Sequence, residues 1–289
     1  MNSASSPPVP SSAELFDIRD RVFILTGGAG MLGRRFAPFL AGCGAHIVVA
    51  DIDPQKAEEA AQLASSNTRC LAVPTDITNA DSVRALVQTV QSEFGRIDGL
   101  INNAALDPKF DKEHIEQAES KGDEFGIGAF ETFPLDSWQA SLSVDLTGTF
   151  LCTQAVAPVF RAQGRGVVLN IASMYGVVAP DQALYERGDS STRSFKPVTY
   201  SVTKSAILGF TRYLAAYWGQ AGIRVNALTP GGIFNDHDDE FTSRYNVRVP
   251  MGRMAGRDEL LGAVLFLLSD ASSYMTGTNV VVDGGWTAW

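Results

Sequence analysis

The sequence predicts an α/β fold, with a doubly wound parallel sheet of seven strands in a single domain. Three observations support this fold class. Short apolar runs alternate with helical patterns along the chain, small or polar residues follow most of the runs, and 45% of the 289 residues are hydrophobic, enough for a sizeable core. Such sheets bind ligands outside the carboxyl ends of their strands, so the residues that follow each strand are the first candidates for function.

The first half of the chain contains four predicted strands. Each is a short apolar run, at residues 21–25, 46–50, 70–74 and 97–101. Helical patterns separate these strands, at residues 31–43, in an Ala- and Glu-rich stretch that begins at Pro54, and at residues 82–94. Proline is tolerated in the first turn of a helix, so Pro54 marks a helix start.

The second half continues the alternation with three more strands. These are predicted at residues 166–171, 223–228 and 278–283. A long helix at residues 136–163 precedes them, a helix that carries Tyr200 extends to residue 218, and a last helix spans residues 258–268. Alternation of this kind indicates a parallel sheet with helices on both faces.

Three segments are predicted to lie outside the regular alternation. Residues 1–16 are expected to form a disordered leader, because this stretch is rich in Ser and Pro and has no apolar signal region. Residues 17–289 then form one domain with inserts near 106–134 and 177–198, both longer than the usual connection of about four to six residues. Both inserts are polar and follow strands at the predicted crevice, so we expect substrate-site loops, with surface decoration as the alternative.

Composition excludes several classes of function. The net charge of −9 argues against a nucleic-acid groove, which requires a basic surface. The three histidines and three cysteines lack metal-ligand spacing, and no apolar run reaches the length of a membrane span. An odd number of unpaired cysteines fits a reducing compartment. We therefore expect a cytoplasmic protein that binds no metal, nucleic acid or membrane.

Tyr200 and Lys204 are the most informative pair of residues. Positions four apart lie on one face of a helix, so the phenol and the ammonium are expected to be neighbours. A nearby positive charge favours the phenolate and lowers the tyrosine pKa from about 10, which suits proton transfer near neutral pH. This spacing also occurs by chance, so its weight depends on the residues that precede it, among them Ser173.

A glycine-rich stretch at residues 26–33 joins the first strand to the first helix. Gly27, Gly30 and Gly33 permit a tight turn, and the helix N-terminus offers N–H groups to a pyrophosphate. This context predicts a Rossmann-type dinucleotide site. Asp51 closes the second strand, where a carboxylate binds the adenosine ribose hydroxyls and repels a 2′-phosphate, so NAD is favoured over NADP. Asp53 is a competing candidate for that role.

Taken together, the motifs resemble the short-chain dehydrogenase/reductase family over residues 17–289. The matching segments are residues 26–33, 102–105, 170–173, 200–204, 230–232 and 282–285. The resemblance implies a compact dehydrogenase in which Tyr200 is the general acid/base and Ser173 holds and polarises the substrate oxygen. It also implies that Lys204 binds the nicotinamide ribose and lowers the Tyr200 pKa.

The resemblance further implies which residues bind the cofactor. Asp76 is expected at the adenine and Asn102 at the cofactor region of the fourth strand. The implied cofactor-binding residues are Gly27, Gly30, Met31, Leu32, Gly33, Asp51, Ile52, Asp76, Ile77, Asn103, Ala104, Tyr200, Lys204, Pro230, Gly231 and Ile233.

Three positions depart from the family pattern. Met31 stands where the compact branch usually has Gly, and the resulting glycine spacing is common in nucleotide-sugar epimerases and dehydratases. Asn235 stands where a Thr often contacts the nicotinamide. Asp145 occupies the position of a catalytic Asn that supports a proton relay. We hypothesise that Asp145 adds negative charge near Lys204 and partly offsets its effect on Tyr200.

The second half of the chain resembles sugar-modifying members of the family more loosely, at residues 175–180, 197–200, 212–217 and 230–234. The predicted function is NAD-dependent interconversion of a secondary alcohol and a ketone on a polyhydroxylated substrate: a sugar, sugar acid or polyol. Charged insert residues fit such a substrate, namely Lys109, Lys112, His114, Glu186, Arg187 and Arg193. The alternatives are a sugar epimerase or dehydratase and a catalytically impaired cofactor-binding protein. Members of the family commonly pair their long helices between subunits, which implies a homotetramer or homodimer.

Overall fold

The computed structural model describes residues 9–65, 68–106, 125–185 and 193–289. Its centre is a seven-stranded parallel sheet in the order β3-β2-β1-β4-β5-β6-β7. The strands are β1 Val22–Thr26, β2 His46–Asp51, β3 Cys70–Pro74, β4 Gly99–Asn102, β5 Gly166–Ile171, β6 Ile223–Pro230 and β7 Asn279–Val282. The predicted fold class is confirmed. The strand order reverses between β1 and β4, which creates a crevice at the carboxyl ends of these two strands.

Helices cover both faces of the sheet in the described part of the chain. They are α1 Ser12–Leu15, α2 Gly33–Gly42, α3 Pro54–Ala64, α4 Ala80–Phe94, α5 Leu135–Leu142, α6 Thr149–Gln163, α7 Val198–Trp218, α8 Asp239–Arg248 and α9 Leu261–Leu268. One core layer lies between the sheet and α2, α3 and α9, and the other between the sheet and α4, α6 and α7. Central strands are therefore buried on both sides, which explains their continuous apolar runs.

Local sequence signals set several helix boundaries. The Asp53 carboxylate accepts a hydrogen bond from Lys56 N (3.0 Å) and caps α3, and Asn79 caps α4 in the same way. Gly95 and Gly164 follow α4 and α6 in the left-handed conformation (φ 70° and 66°) that glycine adopts without steric cost. These caps stop the helices where the loops toward β4 and β5 begin.

Two helix predictions need correction, and one helix was not predicted. The last helix begins at Leu261, not at residue 258, because residues 257–260 form a turn in which Leu261 N donates to the oxygen three residues earlier, Asp258 O, and not four residues earlier as in an α-helix. The long helix predicted at 136–163 contains a π-helical turn, Ser143–Gly148, which joins α5 to α6. Helix α8 was missed altogether: it is polar at most positions and buries only Tyr245, so it has no apolar stripe to detect.

The two inserts meet each other. Ile127 and Ser194 form a parallel β-bridge, in which Ile127 N donates to Arg193 O (2.8 Å) and Phe195 N donates to Ile127 O (2.9 Å). The insert residues Lys109, Lys112, His114, Glu186 and Arg187 lie outside the described residues, as do residues 1–8 of the leader. The disorder of the leader stays a prediction, and its described part contains the single turn α1. No helix among the described residues is long and apolar enough to cross a membrane.

Candidate active site

The glycine-rich turn leaves a cradle at the carboxyl end of β1. Gly27 has φ +59°, and a Cβ at this position would lie 2.7 Å from the Ala104 Cα. A Cβ at Gly33 would lie within 2.6 Å of the carbonyl oxygens of Gly27 and Gly28. The turn therefore has room for backbone alone, directly before the N-terminus of α2. This cradle and the positive end of the helix dipole at the N-terminus of α2 fit the pyrophosphate of a dinucleotide.

The residues after β4 tie the glycine turn to the sheet. Thr26 Oγ1 accepts hydrogen bonds from Asn103 N (3.1 Å) and Ala104 N (3.2 Å), and Asn103 Nδ2 donates to Gly27 O (2.9 Å). Asn102, in contrast, points into the interior. Its Nδ2 donates to Thr153 Oγ1 (3.0 Å) and Asn170 Oδ1 (2.8 Å), so this side chain connects β4 to β5 and α6.

The hydrogen bonds of Asp51 and Asp53 distinguish these two candidates for the ribose site. Asp51 is half-buried, and its Oδ2 accepts from Ala29 N in the glycine turn (3.0 Å). Asp53 forms an ion pair with Lys56 (2.8 Å) in addition to capping α3. Of the two acids, Asp51 is the one that faces the cradle, which supports its assignment to the ribose.

The remaining residues assigned to the adenine end lie on the loops after β2 and β3. Asp76 is half-buried, and its Oδ1 accepts from Thr78 N (2.9 Å) and Thr78 Oγ1 (2.7 Å), which closes a local turn. Ile52 is exposed. Ile77 is buried against Gly148, where a Cβ would lie 2.6 Å from the Ile77 Cδ1. Gly148 therefore lets the π-helical turn approach Ile77 and the loop after β3 closely.

Ser173 follows the carboxyl end of β5, and Tyr200 and Lys204 lie in the first two turns of α7. Ser173 is buried, and its Oγ accepts from Tyr175 N (3.2 Å), which leaves the hydroxyl hydrogen able to donate. Tyr200 lies in the first turn of α7. One turn further, the buried Lys204 donates through Nζ to Ile171 O (3.0 Å), and Nζ lies 5.9 Å from the Tyr200 ring centre.

A cavity of about 560 Å³ opens over Ser173 and Tyr200. Several residues predicted from the sequence line it, namely Met31, Leu32, Pro230, Gly231, Ile233 and Asn235. The opposite wall comes from α8, which the sequence did not predict, and from the 3₁₀ turn Gln182–Tyr185, which lies in the insert near 177–198 that was expected to form a substrate-site loop. The aromatic residues of this wall are Tyr185, Phe241 and Tyr245, and Tyr175 joins them from the 3₁₀ turn Met174–Gly176 after β5.

The aromatic wall is a connected cluster that reaches the proposed acid/base. The Tyr175 ring meets the Tyr200 ring edge-on (6.5 Å between centres), and Tyr245 stacks on Trp286 (4.7 Å). Tyr245 Oη also accepts a hydrogen bond from Gly232 N (2.6 Å), which fixes the loop after β6. Burial raises the pKa of Tyr175 and of Tyr245 to about 12, so both phenols stay neutral near neutral pH.

Asp145 lies behind the cavity in the π-helical turn. It is buried, its Oδ1 accepts from Leu106 N (2.7 Å), and its Oδ2 accepts from Thr203 Oγ1 (2.8 Å). The backbone oxygen of Asp145 accepts from Thr149 Oγ1 (2.7 Å). The carboxylate thus joins the start of the first insert to the residue next to Lys204.

Lys196 is another cavity residue that the sequence did not predict. Its Nζ lies 4.1 Å from the centre of the Tyr200 ring, a cation–π arrangement, and its side chain lines the cavity. The only signals in the sequence were its polar insert and the following Pro197, neither of which distinguishes Lys196 from a solvated loop lysine.

Acidic groups at the cavity wall have partners in the structure. Asp236 pairs with Arg257 (3.2 Å), and the carboxylate of Asp238 accepts from Phe241 N (2.7 Å) and caps α8. Asn235 also accepts from Arg257 (3.0 Å). Among the described residues, no group of three or more His, Cys, Asp or Glu could hold a metal ion.

Comparison with known proteins gives matches over nearly the whole chain. A family model described as enoyl-(acyl carrier protein) reductase matches residues 28–287. A D-threitol dehydrogenase from Mycolicibacterium smegmatis is 32% identical over 280 residues, which cover 94% of this chain and 95% of that protein.

Two solved structures have the same fold. One is a short-chain type dehydrogenase/reductase from Mycobacterium marinum (TM-score 0.80, 28% identity, covering 97% of this chain and 100% of that one). The other is a gluconate 5-dehydrogenase from Burkholderia cenocepacia J2315 in complex with NADP and tartrate (TM-score 0.81, 28% identity, covering 96% and 100%).

Proposed function

This chain belongs to the short-chain dehydrogenase/reductase family, and from that premise we propose that it is an NAD-dependent dehydrogenase of a polyol, sugar or sugar acid. Family membership makes it an oxidoreductase that acts on CH–OH groups. The observation that carries the finer proposal is the placement of Ser173 and Tyr200 on the wall of one cavity, with Lys204 buried directly behind. The threitol and gluconate dehydrogenases among its relatives support a polyhydroxylated substrate.

The proposed mechanism assigns one task to each polar group. In the oxidative direction Tyr200 takes the proton of the substrate hydroxyl. Ser173 donates a hydrogen bond to the same oxygen as negative charge develops on it. Lys204, held by the Ile171 carbonyl, keeps a positive charge near the Tyr200 ring and favours the phenolate. A nicotinamide bound in the crevice would accept the hydride.

The preference for NAD rests on Asp51. Its carboxylate lies beside the glycine turn, where it would bind the two ribose hydroxyls of NAD and repel the 2′-phosphate of NADP. Gly27, Gly30 and Gly33 would admit the pyrophosphate, and Pro230, Gly231 and Ile233 would lie at the nicotinamide because they line the cavity beside Ser173.

A substrate screen tests the proposal. Polyols, aldoses, sugar acids and nucleotide sugars are incubated with NAD or NADP, and reduced nicotinamide is followed by absorbance. We expect stoichiometric NADH from at least one polyhydroxylated alcohol and loss of turnover by about three orders of magnitude or more in Tyr200→Phe. An epimerase or dehydratase would convert its substrate without net NADH, and cofactor binding without any turnover would indicate an impaired enzyme. Full activity in Tyr200→Phe would contradict the mechanism.

A further inference from the structure

The cavity over Ser173 and Tyr200 differs in chemistry between its reacting side and the wall formed by α8 and the 3₁₀ turn Gln182–Tyr185. The hydroxyls of Ser173 and Tyr200 belong to the reacting side. Most side chains that the wall contributes are apolar or aromatic, namely Leu184, Tyr185, Phe241 and Tyr245. Glu240, an acid of α8 at the cavity, pairs with Arg244 (2.5 Å). A substrate in this cavity therefore meets polar groups on one side and an apolar surface on the other.

The rings of this wall form one continuous cluster. Phe241 stacks on His237 (5.0 Å between ring centres) and on Tyr245 (6.1 Å), which are four positions away on either side. Tyr245 stacks in turn on Trp286 (4.7 Å), and Tyr185 contacts Phe241 from the 3₁₀ turn (5.7 Å). Because these rings already hold one another in place, a ligand that packs against them orders few side chains on binding.

The phenol groups of the wall make hydrogen bonds within the protein. Tyr245 Oη accepts from Gly232 N (2.6 Å) and donates to Met174 Sδ (3.6 Å). Tyr185 Oη donates to Tyr175 Oη (3.1 Å). A substrate hydroxyl pressed against this wall would exchange its water for groups whose hydrogen bonds are largely used, and an unsatisfied hydroxyl weakens binding. The wall therefore suits C–H groups better than hydroxyls.

We propose that the substrate is a ring alcohol, a cyclitol or the pyranose form of a sugar, whose C–H face packs against Tyr185 and Phe241. This inference rests on the proposed dehydrogenase function and narrows its substrate class. The hydroxyls of such a ring project mostly from its rim and its C–H groups form an apolar face, so a rim hydroxyl reaches Tyr200 and Ser173 while that face covers the aromatic wall. An open-chain polyol carries hydroxyls on all sides, so in any pose some of them would face the wall.

Ring and open-chain alcohols of matched composition test this proposal. The ring set contains myo-, scyllo- and chiro-inositol with methyl glucopyranoside and methyl galactopyranoside, whose rings cannot open, and the chain set contains sorbitol, mannitol and galactitol. The kcat/KM of each is measured with NAD for the wild type, Phe241→Ala, Phe241→Leu and the control Tyr274→Ala, which removes a fully exposed aromatic residue. We expect the wild type to prefer at least one ring compound over every hexitol, and the ring-to-chain ratio to fall about 3- to 10-fold in Phe241→Ala.

The variants separate contact with the substrate from support of the helix. Phe241→Leu keeps an apolar side chain of similar size, so it should fold, keep its activity on the chain set and lose part of the ring preference, whereas Tyr274→Ala should keep all of it. An unchanged ratio in Phe241→Ala, equal losses on both sets in the two Phe241 variants, or a wild type that oxidises a hexitol as well as the ring compounds would each overturn the proposal.

Two further outcomes distinguish this proposal from the function on which it rests. If no ring compound gives NADH while another compound of the wider substrate screen does, the ring proposal is wrong and the dehydrogenase function stands. No NADH from any compound in the wider screen would instead be a failure of the proposed function itself.

Discussion

Asp145 is a buried carboxylate whose two oxygens accept hydrogen bonds from different segments, Leu106 N and Thr203 Oγ1. It therefore fastens the first insert to the helix of Tyr200. Its negative charge also lies next to the residue that precedes Lys204. These contacts define two roles at one residue, a structural one that depends on shape and an electrostatic one that depends on charge.

Asp145→Asn separates the two roles. Removing a negative charge near Lys204 leaves the phenolate of Tyr200 more favoured, so the tyrosine limb of the pH–rate profile should move to lower pH, by about half a unit to one unit. The measurement is kcat/KM against pH. The control is Asp98→Asn, which removes a buried negative charge at the amino ends of β1 and β4, far from the cavity. The Asp98 carboxylate accepts hydrogen bonds from Val22 N and Arg96. A profile identical in Asp145→Asn and wild type would dismiss the electrostatic role.

Asp51 and Asp53 form a second matched pair at the residue scale. Asp51→Ala removes the charge that faces the glycine turn, so the NADP-to-NAD ratio of kcat/KM should rise by at least about tenfold. Asp53→Ala removes the α3 cap and should cost about 1 kcal/mol of unfolding free energy without changing that ratio. Kinetics with both cofactors and thermal unfolding give the two readouts. An equal change of the ratio in both variants would remove Asp51 from the ribose site.

Helix α8 shows how an element without an apolar stripe can still form part of a site. Only Tyr245 among its residues is buried, and that residue stacks on Trp286 and accepts a hydrogen bond from Gly232 N. Through this one side chain the helix is attached to the loop after β6. The wall of the cavity therefore depends on a contact between segments far apart in the chain.

The buried phenols of this wall predict a loss of stability at alkaline pH. Burial raises the pKa of Tyr175 and Tyr245 to about 12 in the folded protein, against about 10 in the unfolded chain. Below pH 10 both states are protonated and the stabilisation is complete. Between pH 10 and 12 the unfolded chain loses protons that the folded protein keeps, so the free energy of unfolding falls, by at most about 1.4 kcal/mol per pH unit for each phenol.

Denaturant unfolding between pH 9 and 12 measures this slope. Tyr245→Phe removes one titrating group, so its stability should fall less steeply than that of the wild type over this range. Tyr274→Phe is the control because this tyrosine is fully exposed, and its slope should match the wild type. A slope unaffected by Tyr245→Phe would contradict the assignment.

At the scale of the whole molecule, exposed aromatic residues on α6 and α7 form the surface patch through which we propose that the protein self-associates. Tyr213 and Tyr217 stack on each other (6.1 Å between centres), are 65% and 62% exposed, and lie on the same outer layer as the exposed Phe150. Large exposed aromatic groups are typical of interfaces. The patch supports our proposal of a homodimer or homotetramer formed through these helices.

Charge inserted into the patch tests this proposal. Tyr217→Lys should shift the protein to a smaller species, by at least a factor of two in mass, because the ammonium would be buried without a partner. Size-exclusion chromatography with light scattering measures the mass. Leu63→Lys, at an exposed site on α3, should leave it unchanged. A monomeric wild type, or equal behaviour of both variants, would exclude the patch as the interface.

The sequence by itself determined the order of the seven strands and of the helices between them that have an apolar stripe, together with the glycine turn and the spacing of Tyr200 and Lys204, because these features depend on local periodicity and steric constraints. The sequence also predicted that Asp51 lies at the end of β2, although it left Asp53 as a second candidate for the ribose-binding role. Only the tertiary structure showed that Asp51, and not Asp53, accepts a hydrogen bond from the glycine turn, and only it placed Lys196 and Tyr245 at the cavity. Those side chains reach the site from an insert and a polar helix, so their positions depend on contacts between distant segments, which no local pattern encodes.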